Sequence, residues 1–205
     1  MKKNENSKLL MFLALKFAKS KINFHLCYRM QDTKKQYNTV IKSCKSVFLR
    51  KNEDYGTSWR LFRPSSLTDQ IYIKAQRIRN IEDSGKNAVG DDIKGEFMGI
   101  VNYSLIALIQ LQMLKDQVET DNIDTIAAAY DHWADKTRDL MLLKNSDYSE
   151  VWREMRISSF TDLILVKIAR IKQIEDNSGK TQISEGVDAN YQDIINYAIF
   201  ALIRL

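Results

Sequence analysis

The chain has 205 residues, 44% hydrophobic and 28% charged, with seven glycines, one proline and a net charge of +5. That length can bury a substantial core, and so few breakers favour helices joined by short connections. Its two cysteines (Cys27, Cys44) and two histidines (His25, His132) lack metal-ligand spacing, which argues against a structural zinc site or a Cys/His nucleophile pair.

Residues 1–29 form a basic leader with seven Lys or Arg against the single acid Glu5, so they carry +6 while residues 30–205 sum to −1. The body of the chain therefore has no strong nucleic-acid footprint. Lys2 and Lys3 precede an apolar run from Leu9 to Leu15, as in a signal peptide, but Lys16, Lys19 and Lys21 interrupt it and Ala18-Lys19-Ser20 makes a poor cleavage site. The run is also too short to span a bilayer, which needs about 20 apolar residues. The favoured reading is an upstream extension from an early start, with Met30 just ahead of the repeat; a signal peptide and a surface helix are the alternatives. With no membrane segment and no disulfide pattern, a cytoplasmic location is expected.

From Tyr37 onward the chain repeats itself. KNEDYGTSWRLFR at 51–63 returns as KNSDYSEVWREMR at 144–156, an offset of 93 that persists through SSLTDQIYIKAQRIRNIED and SSFTDLILVKIARIKQIED. Asn177 is then inserted, and IVNYSLIAL at 100–108 matches IINYAIFAL at 194–202. The expected organisation is repeat 1 at 30–115, a linker at 116–123 and repeat 2 at 124–205, packed together as one domain. The expected fold is all-α: a tandem duplication of a three-helix unit, forming a pseudo-twofold helical bundle.

Within each unit the apolar spacing predicts three helices. The first covers about Asp32–Leu49 and Asp124–Leu143, with a polar outer face. The second covers about Thr68–Glu82 and Thr161–Asp176, opened by the capping signatures Ser66-Leu-Thr-Asp69 and Ser159-Phe-Thr-Asp162, and closed at Gly85 and Gly179. The third, about Asp92–Lys115 and Gly186–Leu205, is apolar nearly all round and should be the central buried element.

Three polar sets survive in both copies. Between the first and second helices stand Lys51, Asn52, Asp54, Tyr55, Trp59, Arg60 and Arg63, repeated as Lys144, Asn145, Asp147, Tyr148, Trp152, Arg153 and Arg156. A flat aromatic beside Asn, Asp and two arginines can stack a base and hold phosphates. Equally, Trp and Tyr can plug the bundle end while Asn and Asp cap the junction. On the second helix Lys74 and Arg77, repeated as Lys167 and Arg170, share a face and can meet one polyanion or simply form a solvated stripe. On the third, Asn102-Tyr103 and Asn196-Tyr197 interrupt apolar runs, and a buried Asn needs partners. Acids near them (Glu185, Asp188 and Asp193, against Asp91, Asp92 and Glu96 in the first copy) would be the oxygen ligands if Mg2+ binds. An inter-helix hydrogen bond is the alternative role for the Asn-Tyr pair.

The ordered pattern K-N-x-D-Y-x-x-x-W-R, S-S-x-T-D-x-I-x-x-K-x-x-R-I and N-Y in an apolar helix resembles the nucleotide modification associated domain family of the first type, found in bacteria and phages, here over residues 37–205. The resemblance implies an association with nucleotide-modification systems. It also implies a third-helix pattern of two acids followed by Asp-x-x-Asn-Tyr, matched by Glu185, Asp188, Asp193, Asn196 and Tyr197; the first copy departs at Gly99. By architecture the helices are similar to all-α nucleoside triphosphate pyrophosphohydrolases of the MazG type. This chain lacks their E-E-x-x-E motif, since the second helix offers Lys and Arg where Glu would stand, so the likeness is at fold level.

Two functions follow as expectations. In one, the protein binds a nucleotide or nucleoside phosphate near Trp59 or Trp152, with Lys74/Arg77 or Lys167/Arg170 on phosphate. Hydrolysis would then use Asp193 and Glu185 as catalytic groups and Mg2+ held by Glu185, Asp188 and Asp193. In the other it is a non-catalytic helical scaffold or accessory protein. The fuller acid pattern favours the second copy as the active one, and an oligomer is compatible with either reading.

Overall fold

The computed structural model describes residues 32–85, 90, 92–180 and 185–205. Expectations for the leader and for Asp91 lie outside the described residues, as does the side chain of Tyr148. Six α-helices are found among them: α1 (32–55), α2 (Pro64–Ser84), α3 (Ile93–Asp116), α4 (Ile123–Tyr148), α5 (Ile157–Asp176) and α6 (Val187–Arg204). Two 3-10 turns, Ser58–Leu61 and Val151–Glu154, join α1 to α2 and α4 to α5. The described residues contain no strand, and the protein is an all-α duplication.

Each helix exists because its apolar residues recur at helical spacing. Leu67, Ile71, Ala75 and Ile78 make the buried stripe of α2, and Phe160, Ile164, Ile168 and Ile171 repeat it on α5. α3 is buried on nearly every side, from Phe97 through Ile109, and packs against α6, α2 and α4. By length and composition alone α3 could cross a membrane, yet two thirds of that apolar stretch (67%) is buried inside the bundle. Fully burying one such Leu or Ile side chain contributes about 1.5–3 kcal/mol, so the α3–α6 seam supplies much of the stability.

The halves are related by a pseudo-twofold axis that shows in pairs of equivalent contacts. Across α1 and α4, Lys45 pairs with Asp131 at 2.6 Å, and the equivalent Arg138 reaches Asn38 at 3.2 Å. Across α2 and α5, Lys172 meets Asp69 at 2.6 Å while Arg79 approaches Asp162 at 3.9 Å. In both pairs early residues of one helix face late residues of the other, so the helices run antiparallel.

Two sequence expectations need correction. The second helix of each unit begins four residues earlier, at Pro64 and Ile157, after an extended Arg63 or Arg156 with no side-chain cap. Proline is suited to the first helical turn, where its missing N–H costs nothing. The Thr-Asp pairs are therefore not caps. Thr68 and Thr161 are buried inside their helices and bond across the boundary to Glu175 and Glu82, while Asp69 and Asp162 take the cations above. The first helix also runs further, to 55 and to Tyr148, so Lys51–Asp54 and Lys144–Asp147 form a last helical turn and not a loop. The glycine stop is as expected at Gly85, which adopts φ +63° and bonds Ile81 through its N–H; in the second unit α5 is capped earlier, at Asn177, and Gly179 follows at φ +79° with its N–H on Ile174.

Candidate functional site

The end of the first helix, the 3-10 turn and the third helix enclose a cavity in each half. The first, about 370 Å3, is lined by Phe48, Lys51, Asn52, Tyr55, Trp59, Lys74, Met98, Gly99, Asn102, Tyr103 and Ile106. The second, about 250 Å3, is lined by Met141, Lys144, Asn145, Trp152, Asp193, Asn196, Tyr197 and Phe200. Eight of these residues stand at equivalent positions of the two halves, so the pseudo-twofold axis relates one cavity to the other. The larger one lies in the first repeat, opposite to the copy that the acid pattern favoured.

The tryptophan is positioned by its 3-10 turn. Trp59 Nε1 donates to Asn52 Oδ1 at 3.3 Å, and Asn52 Nδ2 in turn donates to the Phe48 carbonyl at 2.9 Å, closing the last turn of α1. In the second repeat Trp152 instead stacks on Phe200 (ring centroids 4.2 Å apart, planes at 8°), with Arg153 above its ring at 4.3 Å. Phe200 fills space that Ile106 leaves open in the first repeat, which accounts for part of the volume difference. Residues far along the chain hold each turn from outside. Gln110 donates to the Arg60 carbonyl at 3.2 Å, and its equivalent Arg204 donates to the carbonyls of Arg153 and Met155.

The electrostatics of the two cavities differ by one displaced acid. In the second repeat the Asp193 carboxylate is held by Lys144 at 2.9 Å and by Lys167 at 2.6 Å. Burial pulls the Lys144 ammonium toward a lower pKa, but the Asp193 carboxylate outweighs it and the net shift is upward. Burial, assisted by Asp193, raises the Tyr197 phenol. In the first repeat Gly99 replaces Asp193, and the acid appears one turn earlier as Glu96, where the second repeat has Asn190. Glu96 accepts from Lys74 at 3.1 Å and from Arg77. Lys74 lies 6.0 Å from the centre of the Tyr103 ring.

Of the residues singled out from the sequence, Lys51, Asn52, Tyr55, Trp59, Lys74, Asn102 and Tyr103 line the first cavity, and Lys144, Asn145, Trp152, Asp193, Asn196 and Tyr197 the second. Lys167 reaches that second site through Asp193. Others are elsewhere. Asp54, Asp147 and Arg170 are exposed. Arg60 holds the linker carbonyls of Thr120 and Val118, and Arg153 ties Glu150 to Thr33 and Gln36 at the start of α1. Arg77 is engaged with Glu96. Asn102 serves the bundle as well as the cavity: its amide donates to the Cys44 carbonyl at 3.0 Å and accepts from Tyr130 at 2.8 Å. The spacing alone did not single out Phe48, Met98, Gly99 or Ile106 as cavity walls, nor Glu96 as the counter-ion.

The residues present do not fit a magnesium centre. The Asp193 carboxylate already sits between two ammonium groups, Glu185 and Asp188 are exposed, and no three His, Cys, Asp or Glu side chains gather at one point among the described residues. A dication there would have to displace both lysines.

Fold and site together define an all-α tandem-repeat protein with two cavities of aromatic, amide and ammonium groups. The sequence pattern of the nucleotide modification associated domain 1 family matches residues 51–111 and again 144–205, and the chain belongs to that family, with two copies of its domain. No curated protein and no solved structure matches the chain, and the likeness to MazG-type enzymes expected from the helix pattern is not shown.

Proposed function

We propose that this protein binds a nucleotide or nucleoside phosphate in the cavity of the first repeat. The observation that carries this reading is that Lys51, Asn52, Trp59, Asn102 and Tyr103, scattered over more than fifty residues of sequence, line one cavity and recur around its symmetry mate. A volume of about 370 Å3 suits a small ligand, for which pockets of roughly 300–1,000 Å3 are usual. Tyr55, Trp59 and Tyr103 offer flat apolar faces for a base, and the ammonium groups of Lys51 and Lys74 offer charge for phosphate. The family's association with nucleotide modification points the same way. The buried, free Cys44 is in keeping with a cytoplasmic location.

Binding is better supported than hydrolysis. A catalytic Asp193 would need its carboxylate available to water, and two lysines hold it. Turnover retained by Asp193→Asn would exclude it as a catalytic group. The scaffold reading also has an observation behind it, since Asn102 and Arg153 join helices of both halves.

Thermal shift against nucleoside mono-, di- and triphosphates separates the two. A ligand at about 100 times its dissociation constant stabilises by roughly 2.7 kcal/mol, a shift of several degrees. Lys51→Ala with Lys74→Met should weaken that binding at least about tenfold. No shift with any nucleoside phosphate would leave the scaffold reading in possession.

A further inference from the structure

Because the chain is duplicated, one half displays what the other half is built to receive. In the second repeat, the two oxygens of Asp193 accept from Lys144 (2.9 Å) and Lys167 (2.6 Å), and the carboxylate is only 9% exposed. The equivalents of those lysines are Lys51 and Lys74, and the equivalent of Asp193 is Gly99. The first repeat therefore has the same two cations and no carboxylate at that position. Lys51 lines the cavity with no ion-pair partner among the described residues. Lys74 bends over Gly99, its Cε and Cδ 2.6 and 2.7 Å from where a Cβ would stand, and rests on Glu96. The glycine thus lets a long cation lie across the cavity floor, where a side chain at position 99 would meet it.

We infer that the phosphate group of the ligand binds beside Gly99, between Lys51 and Lys74, and that Asp193 is a built-in mimic of it that keeps the second cavity closed to anions. This rests on the nucleoside-phosphate reading and sharpens it: one anion site per chain, in the first repeat. A phosphate has the oxygens to accept from both ammonium groups, as the Asp193 carboxylate does from theirs. Glu96 retains Arg77 when Lys74 turns to the ligand, so its charge is not stranded.

Isothermal titration of the full chain with deoxynucleoside monophosphates and with pyrophosphate tests this. The wild type should bind one equivalent. Asp193→Gly should free Lys144 and Lys167 and raise the pyrophosphate stoichiometry toward two, while Phe200 on Trp152 keeps a base out of that cavity; Asp193→Ala, which better preserves the helix, should do the same. Gly99→Asp should draw both lysines onto the new carboxylate and weaken binding at least about tenfold. Circular dichroism confirms that each variant is folded. Pyrophosphate stoichiometry that stays at one in the folded Asp193 variants, or nucleotide binding undiminished in folded Gly99→Asp, would overturn the inference and leave the nucleoside-phosphate reading intact. A wild type that binds none of these probes would reject that reading, and the inference with it.

Discussion

Thr68 donates a hydrogen bond to Glu175 at 2.8 Å across the boundary between the two halves, and the equivalent Thr161 donates to Glu82 at 3.1 Å. The first crossing has one further member, because the Tyr191 hydroxyl lies 2.7 Å from Thr68 and donates to it once Thr68 gives its own proton to Glu175. These threonines sit inside the second helices, so buried polar side chains, together with the Lys172–Asp69 and Arg79–Asp162 pairs, specify the antiparallel pairing of α2 and α5.

The two glutamates make that seam sensitive to pH. Burial raises the pKa of Glu82 and of Glu175, and the threonine bonds only partly oppose it. An acid with a raised pKa holds more protons folded than unfolded, so its contribution to stability falls as pH rises through the window between its ordinary value, about 4.5, and the raised one. Glu82→Gln with Glu175→Gln should melt higher than wild type at pH 7, and the difference should shrink as pH is lowered toward 4.5. Melting curves at several pH values check this. A lower melting temperature for the double variant at pH 7 would reject it.

Much of this architecture was legible from the sequence, and the reason is physical. Periodic burial leaves a periodic apolar pattern, so the six helices and their duplication could be read directly. Retained Lys, Asn, Trp and Tyr residues marked the cavity walls. What stayed hidden depends on contacts between distant segments. Ser-x-Thr-Asp resembles a cap wherever it occurs, and only packing against α5 reveals Thr68 as a crossing residue. Gln110 and Arg204 hold equivalent turns with different chemistry, so identity between repeats could not expose them. Arg60 and Arg153 were kept as a residue type while serving carbonyls and a neighbouring helix.

Two equivalent tyrosines should respond oppositely to loss of their hydroxyls. Tyr130 donates to Asn102 at 2.8 Å, whereas the buried Tyr37 hydroxyl has no hydrogen-bond partner among the described residues. Tyr130→Phe should cost about 1–3 kcal/mol, because Asn102 is left with an unpaired oxygen. Tyr37→Phe should be neutral or stabilising, since a desolvated hydroxyl is removed with no bond lost. Urea denaturation of both variants gives the comparison, and equal losses would contradict it.

Cys44 should be chemically silent in the folded protein. It is fully buried, and burial pushes its thiol up to about 12, so almost no thiolate is present at neutral pH. A disulfide reagent such as Ellman's should modify it only on the timescale of unfolding, and at full rate in denaturant. Prompt labelling of native protein at this position, read by peptide mapping to separate it from Cys27, would show that α1 opens locally.

The difference between Ile106 and Phe200 provides a test of the first cavity that leaves its polar groups in place. Phe200 stacks on Trp152 at 4.2 Å, and the cavity around it is about 250 Å3; with Ile106 opposite Trp59 the space is about 370 Å3. Ile106→Phe should lay a ring against Trp59 and fill the space proposed for the base. Overpacking a dense core costs roughly 1–3 kcal/mol, but here the added atoms enter a cavity and the second repeat already accommodates the same pair, so the change in stability should be smaller. Nucleoside phosphate binding should fall at least about tenfold, while pyrophosphate, which needs only Lys51 and Lys74, should bind nearly as before. Equal loss of both ligands would mean that the ring disturbs the lysines instead. Unchanged nucleotide binding in a folded variant would remove the base from this cavity.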